Sequence, residues 1–139
     1  MRKTKNTWLW NSIIVFTLIF CALAFALHYK NWATTENGEF KISSGIYAES
    51  VSFSEIDSIT WVKKLPEMER KHGFSWLTRE KGVFNDSLSM GKVYVFVDDL
   101  QQRKIRLVYQ DSLQMYVNFR DSTVTRQFYE QLMRAINFN

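Results

Sequence analysis

Residues 92–120 read KVYVFVDDLQQRKIRLVYQDSLQMYVNFR, three short apolar runs separated by polar turns. In the first run, Lys92–Val97, the residues Val93, Val95 and Val97 share one face and Tyr94 and Phe96 the other. The second, Lys104–Tyr109, alternates through Ile105, Leu107 and Tyr109, and the third, Gln114–Arg120, turns Met115, Val117 and Phe119 inward. Alternation with a period of two puts successive side chains on opposite faces of a strand. Asp98-Asp99 and Gln110-Asp111-Ser112 read as turns, because aspartate hydrogen-bonds the backbone just ahead of it. The stretch therefore predicts a three-stranded antiparallel meander.

Downstream, Asp121 and Ser122 are N-cap residues for a closing helix. Val124, Phe128, Leu132, Ala135 and Ile136 recur on one face of it, while Arg126, Glu130 and Arg134 are spaced for i,i+4 pairing. Upstream the strands are shorter. Glu39–Tyr47 predicts a first strand, with Gly45 as a bulge or turn. Val51–Ser54 predicts a second, continued by Ile59–Val62 after a turn at residues 55–58. Leu65-Pro66 ends that run, since proline donates nothing to a ladder. Residues 67–73, EMERKHG, read as an exposed charged loop. Phe74–Thr78 and Gly82–Phe84 start further strands, and Asn85-Asp86-Ser87 turn.

Before the strands, Trp8–Tyr29 reads WLWNSIIVFTLIFCALAFALHY without a charged residue. As a helix this run is about 33 Å long, against about 30 Å for a bilayer's hydrocarbon core. Two readings compete. One is an uncleaved membrane anchor, with Trp8 and Trp10 at one interface and Tyr29 and Trp32 at the other. The other is a signal sequence cut after Ala24-Phe25-Ala26. Bulky Phe20 before Cys21 does not fit a lipid-modified cysteine. The expected division is a basic tail over 1–7, a membrane helix over 8–29, a linker over 30–38 closing on the Asn37-Gly38 turn, and one domain over 39–139. Arg2, Lys3 and Lys5 precede the helix and only Lys30 and Lys41 follow it closely. The positive-inside rule then puts the N-terminus in the cytoplasm and the domain outside.

Of 18 basic and 14 acidic residues, Arg2, Lys3 and Lys5 hold three of the former and none of the latter, which leaves a nearly neutral domain. That balance speaks against a nucleic-acid partner. Cys21 is the single cysteine, so no disulfide forms within one chain.

About seven short strands and one C-terminal helix is the layout of a small bent barrel with a helix in its open corner. Several pieces follow in a telling order: Gly45-Ile46-Tyr47, Val51–Ile59, Leu65-Pro66, the basic loop ending in Gly73-Phe74, Gly82-Val83-Phe84, Gly91–Val97, Met115–Phe119 and Asp121. In that order, residues 42–136 resemble the bacterial pleckstrin-homology domains found behind transmembrane segments. The resemblance implies a mainly β (α+β) barrel at a bacterial membrane, with no catalytic residues. Such relatives often carry two membrane helices, and this chain shows one.

Lys63, Lys64, Arg70, Lys71, Arg79 and Lys81 make the Lys63–Lys81 region the most site-like, as a lipid-phosphate or partner contact. Glu67, Glu69 and Glu80 interleave with them. His72 is a lone histidine in that loop, and His28 stands at the membrane edge. Neither has the clustered partners of a metal site. Asp98-Asp99 and the pair Glu55/Asp57 read as turn chemistry, not as a catalytic carboxylate pair. Trp76, Tyr94, Phe96 and Tyr116 form a potential outer aromatic patch. No cofactor and no small-molecule substrate are expected. The expected function is a non-enzymatic, membrane-anchored interaction domain that binds a protein partner or a second copy. The alternative is sensing of anionic lipid headgroups through Lys63–Lys81.

Overall fold

The computed structural model describes residues 6–89 and 91–138, so the tail residues Arg2, Lys3 and Lys5 lie outside the described residues. Helix α1, Thr7–Tyr29, carries no buried residue and no charge, and is long and apolar enough to cross a membrane. Among the described residues nine strands follow: β1 Trp32–Glu36, β2 Glu39–Ser44, β3 Tyr47–Ser52, β4 Ile56–Val62, β5 Met68–Trp76, β6 Arg79–Asp86, β7 Lys92–Val97, β8 Lys104–Tyr109 and β9 Leu113–Asn118. Helix α2, Ser122–Asn137, follows β9.

The strands form two sheets, β1-β2-β3 and β4-β8-β9-β7-β6-β5, and not one closed barrel of about seven strands. A 3-10 turn at Phe53–Glu55 breaks the ladder between the sheets. The fold is α+β, as expected, but the strands differ from the expectation in four places.

Residues 30–38 are not a linker. Asn37 and Gly38 take φ of 53° and 80°, which a two-residue hairpin of the primed type needs. They fold Trp32–Glu36 back onto β2, with Glu36 opposite Glu39. The expected first strand, Glu39–Tyr47, is likewise split. Gly45, at φ 61°, turns the chain, and Ser44 faces Tyr47 across a second tight hairpin.

Of the expected loop 67–73, residues 68–73 belong to strand β5, the edge of the larger sheet. The three-stranded meander is also overturned. Strand β9 inserts between β7 and β8, antiparallel to β8 and parallel to β7. The 98–103 connection therefore passes over the end of β9, and two buried side chains hold it there. Asn118 accepts from the N–H groups of Asp98 (2.8 Å) and Asp99 (3.1 Å), and donates to the carbonyls of Asp99 (2.6 Å) and Arg103 (3.3 Å). The Lys104 ammonium donates to Gln102 O at 2.7 Å, to Lys63 O at 2.9 Å and to Leu100 O. Buried backbone carbonyls need such donors.

Both faces of the larger sheet are covered. On one, Phe96, Ile105, Leu107, Tyr109, Met115 and Val117 pack with Phe40, Ile42 and Val51 of the small sheet and with Phe128 and Leu132 of α2. On the other, Val93, Val95, Val97, Phe84 and Tyr116 lie under Val62, Leu65, Met68 and Leu100. The four aromatics therefore form no outer patch: Phe96 and Tyr116 are buried and Tyr94 partly so, which leaves Trp76 exposed. Asp121 caps α2 by accepting the Thr123 N–H at 2.8 Å. Thr125 replaces Val124 on the buried stripe, since its hydroxyl accepts the Phe119 N–H at 2.9 Å.

Burial raises the pKa of the Tyr109 hydroxyl, which donates to Glu49 at 3.3 Å, and also that of Tyr116. An unfolded tyrosine loses its proton near pH 10 while these folded ones keep theirs, so the folded state binds more protons and stability falls as pH rises above that point. Once the lysines are neutral in both states, the loss approaches about 1.4 kcal/mol per pH unit for Tyr109, with Tyr116 adding in the same direction. Urea unfolding midpoints of the detergent-solubilised chain at rising alkaline pH are expected to show this slope. Tyr109→Phe is expected to remove the larger share of it.

Candidate functional site

Asn31 is the second residue after α1, and its side chain is buried beneath the larger sheet. Lys81 on β6 is register partner to Phe96, and Asp98 lies two residues beyond Phe96. All three therefore point to the same face, toward Asn31. Lys81 and Asp98 form an ion pair at 0% and 2% side-chain exposure. The ammonium also donates to Asn31 Oδ1. The second Asp98 oxygen accepts the Asn31 backbone N–H at 3.1 Å. The Asn31 amide donates to Phe96 O (2.6 Å) and Asn118 O (2.8 Å). One side chain thus closes the gap between helix and sheet with every polar group engaged.

A second layer of contacts surrounds Tyr29. Arg79 donates to its carbonyl at 2.9 Å and lies 4.1 Å from its ring centre. Arg120 donates to its hydroxyl. On the other side of α1, His28 Nδ1 faces Ala24 O at 2.8 Å and Nε2 accepts the Ile46 N–H at 3.3 Å. The His28 ring also packs against Tyr47 and Phe74. It fills the space beside Gly45, where a Cβ would lie 2.1 Å from Nε2. So His28 is built into the joint.

Burial lowers the pKa of Lys81, and the charge of Asp98 opposes that shift. Burial also lowers that of Lys104, opposed by Asp99. The arrangement joins and orients; its donors and acceptors are spent on one another and on the backbone.

The six expected contact residues do not form one patch. Lys63, Lys64, Arg70 and Lys71 are exposed, but Arg79 and Lys81 are drawn inward. Arg70 pairs with Glu80 at 2.5 Å. At the ends of α1, Trp8 and Trp10 are exposed, Tyr29 meets the two arginines, and Lys30 lies 3.9 Å over the exposed Trp32. His72 stacks on Tyr47. Among the described residues no three His, Cys, Asp or Glu side chains come together as metal ligands. An open cavity of about 460 Å³ lies at the start of α2, lined by Trp61, Arg103 and Arg126.

Sequence reasoning missed Asn31, Asp98 and Asn118. Asn118 alone carried a readable signal, as an amide inside the apolar run Met115–Phe119. A polar residue buried there needs partners. The sequence alone puts Asp98 and Asp99 alike in turn chemistry. Asp99 does perform that role, accepting the Gln101 N–H at 2.9 Å, whereas Asp98 belongs to the interior. Neither the family models nor the curated proteins nor the solved structures include a match to this chain.

Proposed function

We propose that this chain is a non-enzymatic interaction domain held at a bacterial membrane by α1, which crosses once with its N-terminus in the cytoplasm and its sheets outside. The carrying observation is the burial of Asn31 directly after the helix. It leaves no free linker, so the helix and the sheets behave as one piece and the domain keeps a set position relative to the bilayer. Such a piece presents rather than catalyses, because Lys81, Asp98 and Asn118 have no free valence for a substrate. The larger sheet ends in the edge strands β4 and β5. Open edges accept a further strand from another chain or a second copy. The anionic-lipid reading draws less support, since two of its six cations are internal and Arg70 is paired.

The test is crosslinking in native membranes, with the crosslinked residues mapped. A protein partner or like subunit joined at β4 or β5 is the expected result. Recovery of neither, or crosslinks only elsewhere, overturns the reading. Protease accessibility of a C-terminal tag in spheroplasts checks the side of the membrane, and digestion from outside is expected.

A further inference from the structure

Two hairpin tips lie alongside the last turns of α1. The Gly45 N–H donates to Leu27 O at 3.0 Å, which places Ile46 beside the helix. The Trp76 ring meets the Phe25 ring edge-on at 6.0 Å between centres, which places the Leu77 turn there too. These helix residues precede Tyr29 by two to four positions, or about 3–6 Å along the axis on the side of the apolar run.

The tips are apolar and uncovered. Ile46 and Leu77 are each 81% exposed, and Trp76 is half exposed. Leu77 holds φ at 52° in a two-residue turn, a position glycine or asparagine takes without strain. A leucine kept there packs against nothing within the domain. Three other turns are polar, Asn37-Gly38, the 98–103 connection and Gln110-Asp111-Ser112, and the β6–β7 turn sets its one exposed leucine, Leu88, alone between Ser87 and Ser89. Between helix and tips runs an open groove of about 380 Å³, lined by Ala24, Phe25, His28, Tyr47, Gly73 and Phe74. Above the tips stand Lys30 and Arg120, level with Tyr29 and suited to lipid phosphates.

We infer that Ile46, Trp76 and Leu77 insert into the same lipid leaflet as the end of α1, so that the domain is seated in the membrane surface rather than held above it. The inference rests on α1 crossing the bilayer. Its occupant is the leaflet itself, because the tips continue the apolar surface of the helix at the same depth. An uncovered leucine and tryptophan gain by leaving water, and lipid chains fill the groove.

Nitroxide depth measurements on the full chain in phosphatidylcholine vesicles test this. One label goes on Cys21, and others on Ile46→Cys, Leu77→Cys and Leu88→Cys in a Cys21→Ser background. Leu88 is exposed in the β6–β7 turn, at the far end of β6 from Leu77, and serves as the aqueous reference. All the cysteine sites are exposed, so their substitution removes no packing. The expected result is a ratio of oxygen to nickel-complex accessibility several-fold higher at positions 46 and 77 than at 88. If both tips match position 88 while Cys21 reads as lipid-embedded, the seating is overturned and the anchor stands. If Cys21 itself reads as aqueous, the anchor reading and the seating both fall.

Discussion

Asp98→Ala is expected to cost the folded state about 3–5 kcal/mol, because it leaves the Lys81 ammonium in the interior without its counter-charge. Against a typical total of about 5–15 kcal/mol, that is a large share of the stability. The same change strips the Asn31 N–H of its acceptor, so the helix joint loosens as well. Lys81→Met with Asp98→Leu is expected to cost much less, since an apolar pair of similar volume replaces a buried ion pair at little loss. Some cost remains from the unpaired Asn31 groups, about 1–3 kcal/mol. The pH dependence gives a second signature. Lys81 in the parent has a lowered pKa, and Asp98 is what holds it up against burial. Without Asp98 it falls further, and the unfolded state then binds more protons from that lowered value up to about 10.5. Stability of Asp98→Ala rises with pH across that window relative to the parent. The difference between the two proteins cancels the tyrosine contributions. Thermal or urea midpoints in detergent at neutral pH and near pH 10 measure both effects. A neutral-pH cost within about 0.5 kcal/mol would place the variant among ordinary surface changes and sink the account.

What could be read in the sequence was what periodicity reports. The runs Lys92–Val97 and Lys104–Tyr109, the inward set Met115, Val117 and Phe119, and the Phe128–Leu132 stripe all appear where the alternation puts them. Strand β1 and the 68–73 part of β5 could not be read this way. Each lies on a sheet edge with mostly exposed side chains, so neither carries an apolar alternation. The Asn37-Gly38 pair was the legible clue to the first hairpin, and it outweighs the polar composition around it. The place of β9 between β7 and β8 has no periodic signature at all, because inward and outward residues are the same in either strand order. It is fixed by Asn118 and Lys104 holding the 98–103 connection. Asp98 escaped because one local rule served two adjacent aspartates, and only the tertiary position of Lys81 separates them.

Gly82→Ala is the second change expected to be severe, at about 3 kcal/mol or more, from backbone strain plus overpacking. Gly82 sits opposite Gly73 in the β5–β6 ladder, with φ at 138°. That φ is closed to side chains in ordinary backbone. A Cβ at Gly82 would lie 2.4 Å from His72 O and 2.5 Å from Gly73 Cα, both main-chain atoms with no rotamer to change. The reciprocal Cβ at Gly73 would lie 2.5 Å from Lys81 O. The strands approach this closely just after the register shift between Arg70 and His72, where a bulge increases the local twist. Parting them displaces Lys81, the neighbour of Gly82, and with it the Asn31 contact. It also moves the Trp76–Leu77 tip that lies against Phe25. Gly38→Ala is the matched comparison. Its φ is 80°, yet nothing lies within 4 Å of the added methyl, so it bears backbone strain alone, about 1 kcal/mol. Unfolding midpoints of the two variants, set against the parent, separate the terms. A Gly82→Ala cost no larger than that of Gly38→Ala would mean the close approach of β5 and β6 contributes nothing to holding the helix joint.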